Sequence, residues 1–378
     1  MKTIAIFHPS SELYGADRIL VHAINSFPKE TRKIVYLKSN GPLVKFIDSQ
    51  SINVEIKITP NLPIIYRKLF SFGGILKFMS NYIKFNHILK RDQKKYNFQS
   101  AYVNTLACSL FLPLLKRRKI KSFIHVHEII EKPALIKFVT AKISFKYAAK
   151  VLCVSNAVAA NIKTIKNIDL SKIEVLHNGI KAINVSQKKA TESKTQFYLF
   201  GRIMKKKGQW LVIKAIESIP KSKLENVQFN FVGGCVKGQE EKLQELKDLI
   251  HAKGLSHLVQ FKPFVSDIKQ YMEQSDVCLV PSIMKDPFPT TVLEAMSAGK
   301  AVIASNGGGA KEALHMNQCG LIIESNNPNA LARSIIHLIE NKSEILRLGK
   351  KAKEVFKTHF SLEVFKWKWM NFISANDF

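Results

Sequence analysis

The sequence predicts an α/β protein made of two doubly wound parallel sheets, and three observations predict it. Short apolar runs rich in β-branched and aromatic residues alternate with amphipathic segments along the whole chain, the pattern of strands covered by helices on both faces. The alternation occurs twice, and between the two halves lies the polar, aperiodic stretch KAINVSQKKATESKT (181–195), which reads as a linker. The chain has 378 residues, whereas a single core stops growing at roughly 250–300 residues. Two domains follow.

In the first half the strand-like runs are TIAIF (3–7), KIVYL (33–37), INVEI (52–56), SAYVN (100–104), KSFIHV (121–126), VLCVS (151–155) and IEVL (173–176). In the second half they are FYLFG (197–201), VQFNFVG (227–233), LVQF (258–261), DVCLVP (276–281), KAVIAS (300–305) and GLII (320–323). Between them the spacing turns helical. Ile19, Leu20, Ala23, Ile24 and Phe27 fall on one face after Gly15. Leu243, Leu246 and Ile250 form a stripe that ends at Gly254, a natural C-cap. Two such domains facing each other would make a cleft, and ligands of such sheets bind beyond the carboxyl ends of the strands.

An apolar share of 46% with 23% charged residues is that of a folded protein rather than a disordered tail. Five cysteines show no C-x-x-C spacing; Cys153 and Cys278 sit in apolar runs and read as small buried hydrophobes in a reducing compartment. The start MKTIAIFHP is too short for a signal-peptide core, and no apolar stretch reaches the ~18 residues that span a bilayer. The expected place is the cytoplasm, peripheral at the inner face of the plasma membrane.

The strongest chemical signal is PSIMKDPFPTTVLEAMSAGKAVIASNGGGAKEAL (281–314). Asp286 lies in a Pro-bounded loop, and Glu294 follows eight residues later on a helix. The junction offers backbone N–H groups from Pro289 onward, at Thr290, Thr291 and Val292, suited to a phosphate. Two carboxylates bracketing that anion site can accept from hydroxyls of a sugar on one side and a ribose on the other. On spacing alone, a helix-capping Glu294 and a turn residue Asp286 explain the pattern equally well.

The segment DPFPTTVLEAMSAGKAVIA, followed by GGG, resembles the E-x7-E signature of the retaining family-4 glycosyltransferases, whose GT-B fold joins two Rossmann-like domains across a cleft. The resemblance implies that Asp286 holds donor-sugar hydroxyls and takes part in catalysis, and that Glu294 holds the ribose. Phe288, Pro289, Thr290 and Thr291 complete the donor loop. The chain departs from the signature at Asp286, where Glu is usual, and at Pro289, where Gly is usual. FGRIMKKKG (200–208) is similar to the family's G-R-x4-K-G segment, which implies that Arg202 and Lys207 grip the donor diphosphate. Two fixed cations suit a departing diphosphate, and the chain has no D-x-D sequence; a metal-independent enzyme without cofactor is expected, the nucleotide-sugar being a substrate. A solvated basic turn is the plainer reading of the same lysines.

In SSELYGADRIL (10–20) the resemblance implies that Gly15 approaches the donor phosphate; Asp17 and Arg18 read equally as helix-capping residues. In FIHVHEIIEKP (123–133) it implies a catalytic His127 near the reacting carbon. His125 is the alternate, and Glu128 a candidate for the acceptor or for ion pairs with nearby lysines. VSNAVAANI (154–162) and IEVLHNGI (173–180) are similar to lesser family segments. Gly233 and Gly234 would admit the nucleotide to the backbone, and Phe264 is either a base contact or a core aromatic. LEVFKWKWMNFI (362–373) resembles the terminal helix that crosses back to the first domain. The expected organisation is therefore an acceptor- and membrane-facing domain over 1–182, a linker over 183–195, a nucleotide-sugar domain over 196–358 and a returning helix over 359–378.

The formal net charge is +29. From Tyr66 to Lys150 there are eighteen Lys and Arg against the three acids Asp92, Glu128 and Glu131. Apolar and aromatic residues interleave with lysines in FGGILKFMSNYIKFNHILK (72–90). Basic clusters gain about 1 kcal/mol per residue near an anionic membrane, so this stretch reads as an interfacial helix; an apolar face turned to the core with solvated lysines is the alternative. The expected partners are a nucleotide-sugar, a glycan or polyprenyl-diphosphate-linked acceptor and an anionic membrane surface, not nucleic acid. The expected role is retaining sugar transfer in surface polysaccharide, O-antigen, lipopolysaccharide or capsule biosynthesis. A catalytically silent scaffold, a nucleic-acid binder and a sugar-nucleotide epimerase are the competing readings.

Overall fold

The computed structural model describes residues 2–50, 53–66, 72–186, 194–235 and 238–378. The chain forms two compact units: Met1–Gly179 with Phe365–Phe378, and Ile180–Val364. Of the expected linker, residues 187–193 lie outside the described residues.

Unit 1 contains β1 (Thr3–Phe7), β2 (Arg32–Leu37), β3 (Val54–Ile58), β4 (Ser100–Asn104), β5 (Lys121–Val126), β6 (Lys150–Cys153) and β7 (Ile173–Val175). They form one sheet in the order β3-β2-β1-β4-β5-β6-β7, parallel throughout. Unit 2 contains β8 (Thr195–Phe200), β9 (Val227–Val232), β10 (Val259–Lys262), β11 (Val277–Val280), β12 (Ala301–Ser305) and β13 (Leu321–Ile323). Their order is β10-β9-β8-β11-β12-β13, again parallel. Every apolar run singled out in the sequence is one of these strands. The largest offset is at INVEI, where pairing of Lys33 with Val54 and of Leu37 with Ile58 sets the strand at 54–58, on the sheet edge where burial constrains register least.

Each sheet reverses its winding direction once, between β1 and β4 in unit 1 and between β8 and β11 in unit 2. At such a switch the loops after the two strands part and leave a crevice at the carboxyl edge. The helices fix the sheets by burying one stripe each. Helix Gly15–Ile24 buries Ile19, Leu20, Val21, Ala23 and Ile24; helix Glu241–Ala252 buries Leu246 and Ile250 and is closed by Gly254, at φ +67°, with Leu255 N donating to Ile250 O at 3.0 Å. Side chains of this size each stabilise the fold by about 1.5–3 kcal/mol when fully buried. The last helix, Leu362–Ala375, buries Phe365, Trp369, Phe372 and Ile373, and Trp369 meets Phe27, Tyr102 and Phe123 of unit 1 at ring distances of 5.4, 5.3 and 5.8 Å. The chain's end is thus part of the first unit's core. Four of the five cysteines are buried, and all five are free thiols.

Candidate functional site

In unit 2 three loops converge at the switch between β8 and β11. The loop after β8 runs through Arg202 and Lys207 to Gly208, and the loop after β11 carries Asp286. Backbone bonds join them, Ile283 N donating to Lys206 O at 3.0 Å. Gly208 is at φ +93°, and a Cβ there would collide with the Pro281 carbonyl; only glycine admits so close an approach. The third loop, Gly307–Gly309, follows β12. Gly309 N donates to Asp286 O at 2.9 Å, and a side chain at Gly308 would strike the same carbonyl. The triple glycine therefore clamps the acidic loop by its backbone.

Across the crevice the Lys207 ammonium donates to Asp286 Oδ2 at 2.9 Å, with side-chain exposures of 25% and 18%. Helix Thr290–Ser297 starts directly after Pro289. The N–H of Val292 is taken by the Pro289 carbonyl at 3.2 Å, so among the three amides expected for a phosphate it is the committed one. Glu294 sits in the second turn of this helix, partly exposed, and Arg202 is exposed beyond β8. Phe288 turns its ring into the core, 5.5 Å from that of Phe360, and offers a ligand only its backbone. A small hollow lies under the acidic loop, lined by Ser282, Asp286, Pro289, Ser305 and Gly308 among others. The buried hydroxyls of Ser282 and Ser305 have no hydrogen-bond partner among the described residues, and sequence reasoning passed over both. Phe264 is 70% exposed, which removes the core reading; its Cβ lies 3.5 Å from where a Cβ on Gly234 would stand.

In unit 1 the turn after β1 carries Gly15 at the first position of its helix. Asp17 does cap this helix, accepting from Tyr14 N at 2.8 Å. It also meets His8 Nε2 at 2.7 Å, a partner that no local pattern singles out. On β5, His125 is fully buried, with Nδ1 3.1 Å from the Tyr102 hydroxyl, so it has no surface to show a sugar. His127 lies just past the strand, partly buried, its ring 4.2 Å from that of His125. Burial pushes the His125 imidazole down to about 3 and His127 well below its ordinary value. At neutral pH each is therefore an uncharged hydrogen-bonding group.

Glu128 forms no ion pair with a lysine among the described residues and turns to the backbone instead. Its carboxylate accepts from the backbone N–H of Leu106 at 3.1 Å and of His127 at 3.0 Å; burial pushes its carboxyl up against the pull of those amides. The residue before Leu106, Thr105, is buried at φ +76°, a strained conformation for a β-branched side chain. Glu128 thus holds a strained corner at the carboxyl end of β4 and the segment leading from His127.

Comparison with known proteins agrees with this construction. Residues 50–182 match glycosyltransferase family 4, and residues 181–355 match the glycosyl transferases of group 1. An uncharacterised glycosyltransferase of Methanocaldococcus jannaschii is 27% identical over 88% of this chain and 87% of its own. The N,N'-diacetylbacillosaminyl-diphospho-undecaprenol alpha-1,3-N-acetylgalactosaminyltransferase of Campylobacter jejuni is 27% identical over 59% of this chain and 60% of its own. Among solved structures, Anabaena HepE in complex with UDP and glucose superposes with a TM-score of 0.81 at 21% identity, covering 98% and 99% of the two chains. The apo lipopolysaccharide outer core galactosyltransferase WaaB does so with 0.74 at 14% identity over both full chains. With both halves matched in sequence and the whole chain matched in fold, the protein belongs to the family-4 glycosyltransferases of GT-B fold.

Proposed function

We propose that the protein is a retaining, metal-independent glycosyltransferase that takes its sugar from a nucleotide-sugar held on unit 2 and delivers it to a lipid-linked glycan in surface polysaccharide biosynthesis. The observation that carries this reading is the Lys207–Asp286 pair across the β8/β11 switch, beside the first turn of helix Thr290–Ser297. A cation, amides and a carboxylate at one crevice match a diphosphate joined to a hydroxyl-rich ring. Arg202 and Lys207 take the diphosphate, Asp286 the sugar, Glu294 the ribose, and exposed Phe264 offers the base a stacking face. The reading accords with the UDP and glucose bound to HepE and with the diphospho-undecaprenol acceptor in the name of the Campylobacter relative.

In the reaction the bond from the anomeric carbon to the diphosphate breaks and a bond to the acceptor oxygen forms on the same face. The acceptor proton passes to the leaving diphosphate, whose charge Arg202 and Lys207 offset. Gly15 contributes a backbone approach to the donor, and neutral His127 a hydrogen bond to the sugar. No cofactor is needed, because the nucleotide-sugar is consumed. A thermal-shift series with nucleotide-sugars tests the donor site: at 100 times Kd the true donor stabilises by roughly 2.7 kcal/mol, and Arg202→Ala diminishes the shift. If no nucleotide or nucleotide-sugar moves the wild-type transition, the donor assignment fails; binding with neither transfer nor donor hydrolysis would leave a silent scaffold.

The acceptor's lipid also assigns a place, the cytoplasmic face of the membrane. No helix among the described residues is long and apolar enough to cross a bilayer. Helix Phe72–Tyr96 buries Phe85, Leu89, Asp92 and Tyr96 in its later turns, whereas Ile75, Leu76, Met79 and Ile83 stand 48–58% exposed in the earlier ones. The core reading of this helix therefore holds for one half only. On helix Ala134–Tyr147, Leu135, Phe138 and Val139 are likewise exposed beside Lys137 and Lys142. Apolar side chains ringed by lysines match an anionic bilayer surface. The wild type is expected to sediment with vesicles containing phosphatidylglycerol and not with neutral ones, and Leu76→Ser with Ile83→Ser to lower the bound fraction. Undiminished sedimentation of that variant, or equal binding to neutral vesicles, refutes the surface.

A further inference from the structure

A chain of buried polar side chains runs across the switch point of unit 1. Asp17 Oδ1 lies 2.7 Å from His8 Nε2, His8 Nδ1 lies 2.8 Å from Asn104 Nδ2, the Tyr102 hydroxyl donates to Asn104 Oδ1 at 2.9 Å, and His125 Nδ1 lies 3.1 Å from that hydroxyl. No member is more than 3% exposed. The bonding pattern assigns the hydrogens. The Asn104 amide donates to His8 Nδ1, which leaves His8 Nε2 to donate to Asp17. The Tyr102 hydrogen goes to Asn104, so the hydroxyl accepts from His125 Nδ1–H.

The two ends of this chain adjoin the residues already implicated in function, Gly15 and His127. Asp17 also accepts from Tyr14 N, directly before Gly15. The far imidazole, His125, lies with its ring 4.2 Å from that of His127, the two tilted by 54°. A buried polar array is costlier than an apolar core unless every member is satisfied, and here the Nε2 atoms of both His125 and His127 lack any partner among the described residues. The array is closed along its length and open where it reaches His127.

We propose that Asp17, His8, Asn104, Tyr102 and His125 form a positioning array that locks the His127 ring relative to the glycine turn, with Asn104 setting the direction of its bonds. The proposal rests on the reading that His127 touches the donor sugar. Asn104 and Tyr102 are positioning residues in this account; neither meets substrate. Trp369 closes the array from behind, 5.3 Å from the Tyr102 ring and 6.0 Å from His125.

The test uses the full-length protein labelled with 15N in its histidines. Tyr102→Phe keeps the ring and removes one hydroxyl. It is expected to release His125 from the Nδ1–H tautomer, to move the His127 imidazole resonances, and to lower kcat about 10- to 100-fold with the donor KM nearly unchanged, the penalty typical of a small misplacement. Asn104→Leu should do the same and also disturb His8. A folded Tyr102→Phe protein with wild-type His127 resonances and wild-type kcat overturns the proposal, and if Asn104→Leu fails to fold, Tyr102→Phe alone decides. His127→Ala separates the two readings: transfer at the full rate would end the sugar role of His127, while the imidazole signals of Tyr102→Phe still decide whether the array orients that ring.

Discussion

Lys207→Ala is expected to weaken binding of a bare nucleoside diphosphate by about 10- to 100-fold, whereas Asp286→Asn leaves that affinity intact or raises it and abolishes most sugar transfer. The two residues form one ion pair in the free protein, so removing either disturbs the other, and a simple loss of activity would not tell them apart. The ligand does. A hydrogen bond to a charged group contributes about 1.5–3 kcal/mol, and each ~1.4 kcal/mol is tenfold in affinity. The Lys207 ammonium can turn from Asp286 to a diphosphate, which carries more negative charge. Asp286, freed by that exchange, is then left to accept from sugar hydroxyls that a bare nucleotide does not have. Calorimetric titration with nucleoside diphosphate and with nucleotide-sugar measures both. Equal weakening of the bare nucleotide by the two variants would show that Asp286 serves the diphosphate site by holding Lys207, and the assignment to the sugar would be abandoned.

The fold was legible in this sequence because its strands are buried on both faces. Runs such as VCLV and AVIAS have no polar side to blur their limits, and the offset is largest at the edge strand Val54–Ile58. In unit 2 the site was legible because its parts are local: Lys207 and Asp286 each stand in a loop whose glycines and prolines announce a turn. Unit 1 was harder. His8 reads as an ordinary polar residue after a strand, and nothing in the spacing says that Asn104, 96 residues away, bonds to it. That contact exists because β1 and β4 are neighbours across the switch, a fact of topology and not of local pattern. The ion-pair reading of Glu128 gives way for a related reason: a carboxylate beside lysines in sequence reads as an ion-pair partner, but it follows β5 directly and reaches the backbone amides that follow β4. Exposure was the other blind spot. Periodicity showed that helix Phe72–Tyr96 has an apolar face and could not show that its earlier turns leave Ile75, Leu76, Met79 and Ile83 about half exposed.

Truncating Trp369 to Ala is expected to cost about 3–5 kcal/mol of stability, against ~0.5 kcal/mol or less for Trp367→Ala. The two tryptophans are two residues apart on helix Leu362–Ala375, which turns them to opposite sides. Trp367 is 65% exposed and Trp369 fully buried. The Trp369 ring meets Phe27, Tyr102, Phe123 and Phe365 within 6 Å, rings from the turn after the first unit's early helix, two of its central strands and its own helix. An alanine there leaves a cavity that these rigid neighbours can fill only in part. Since domains of this kind are stable by only ~5–15 kcal/mol, the loss is a large fraction of the whole. It also removes the wall behind Tyr102 and His125, so the variant should lose transfer activity in denaturant-free buffer before it loses structure. Urea unfolding followed by circular dichroism, with Trp367→Ala as the reference, measures the difference. Equal midpoints for the two variants would mean that the terminal helix contributes nothing to the first unit's core, and the assignment of Phe365–Phe378 to that unit would fall with it.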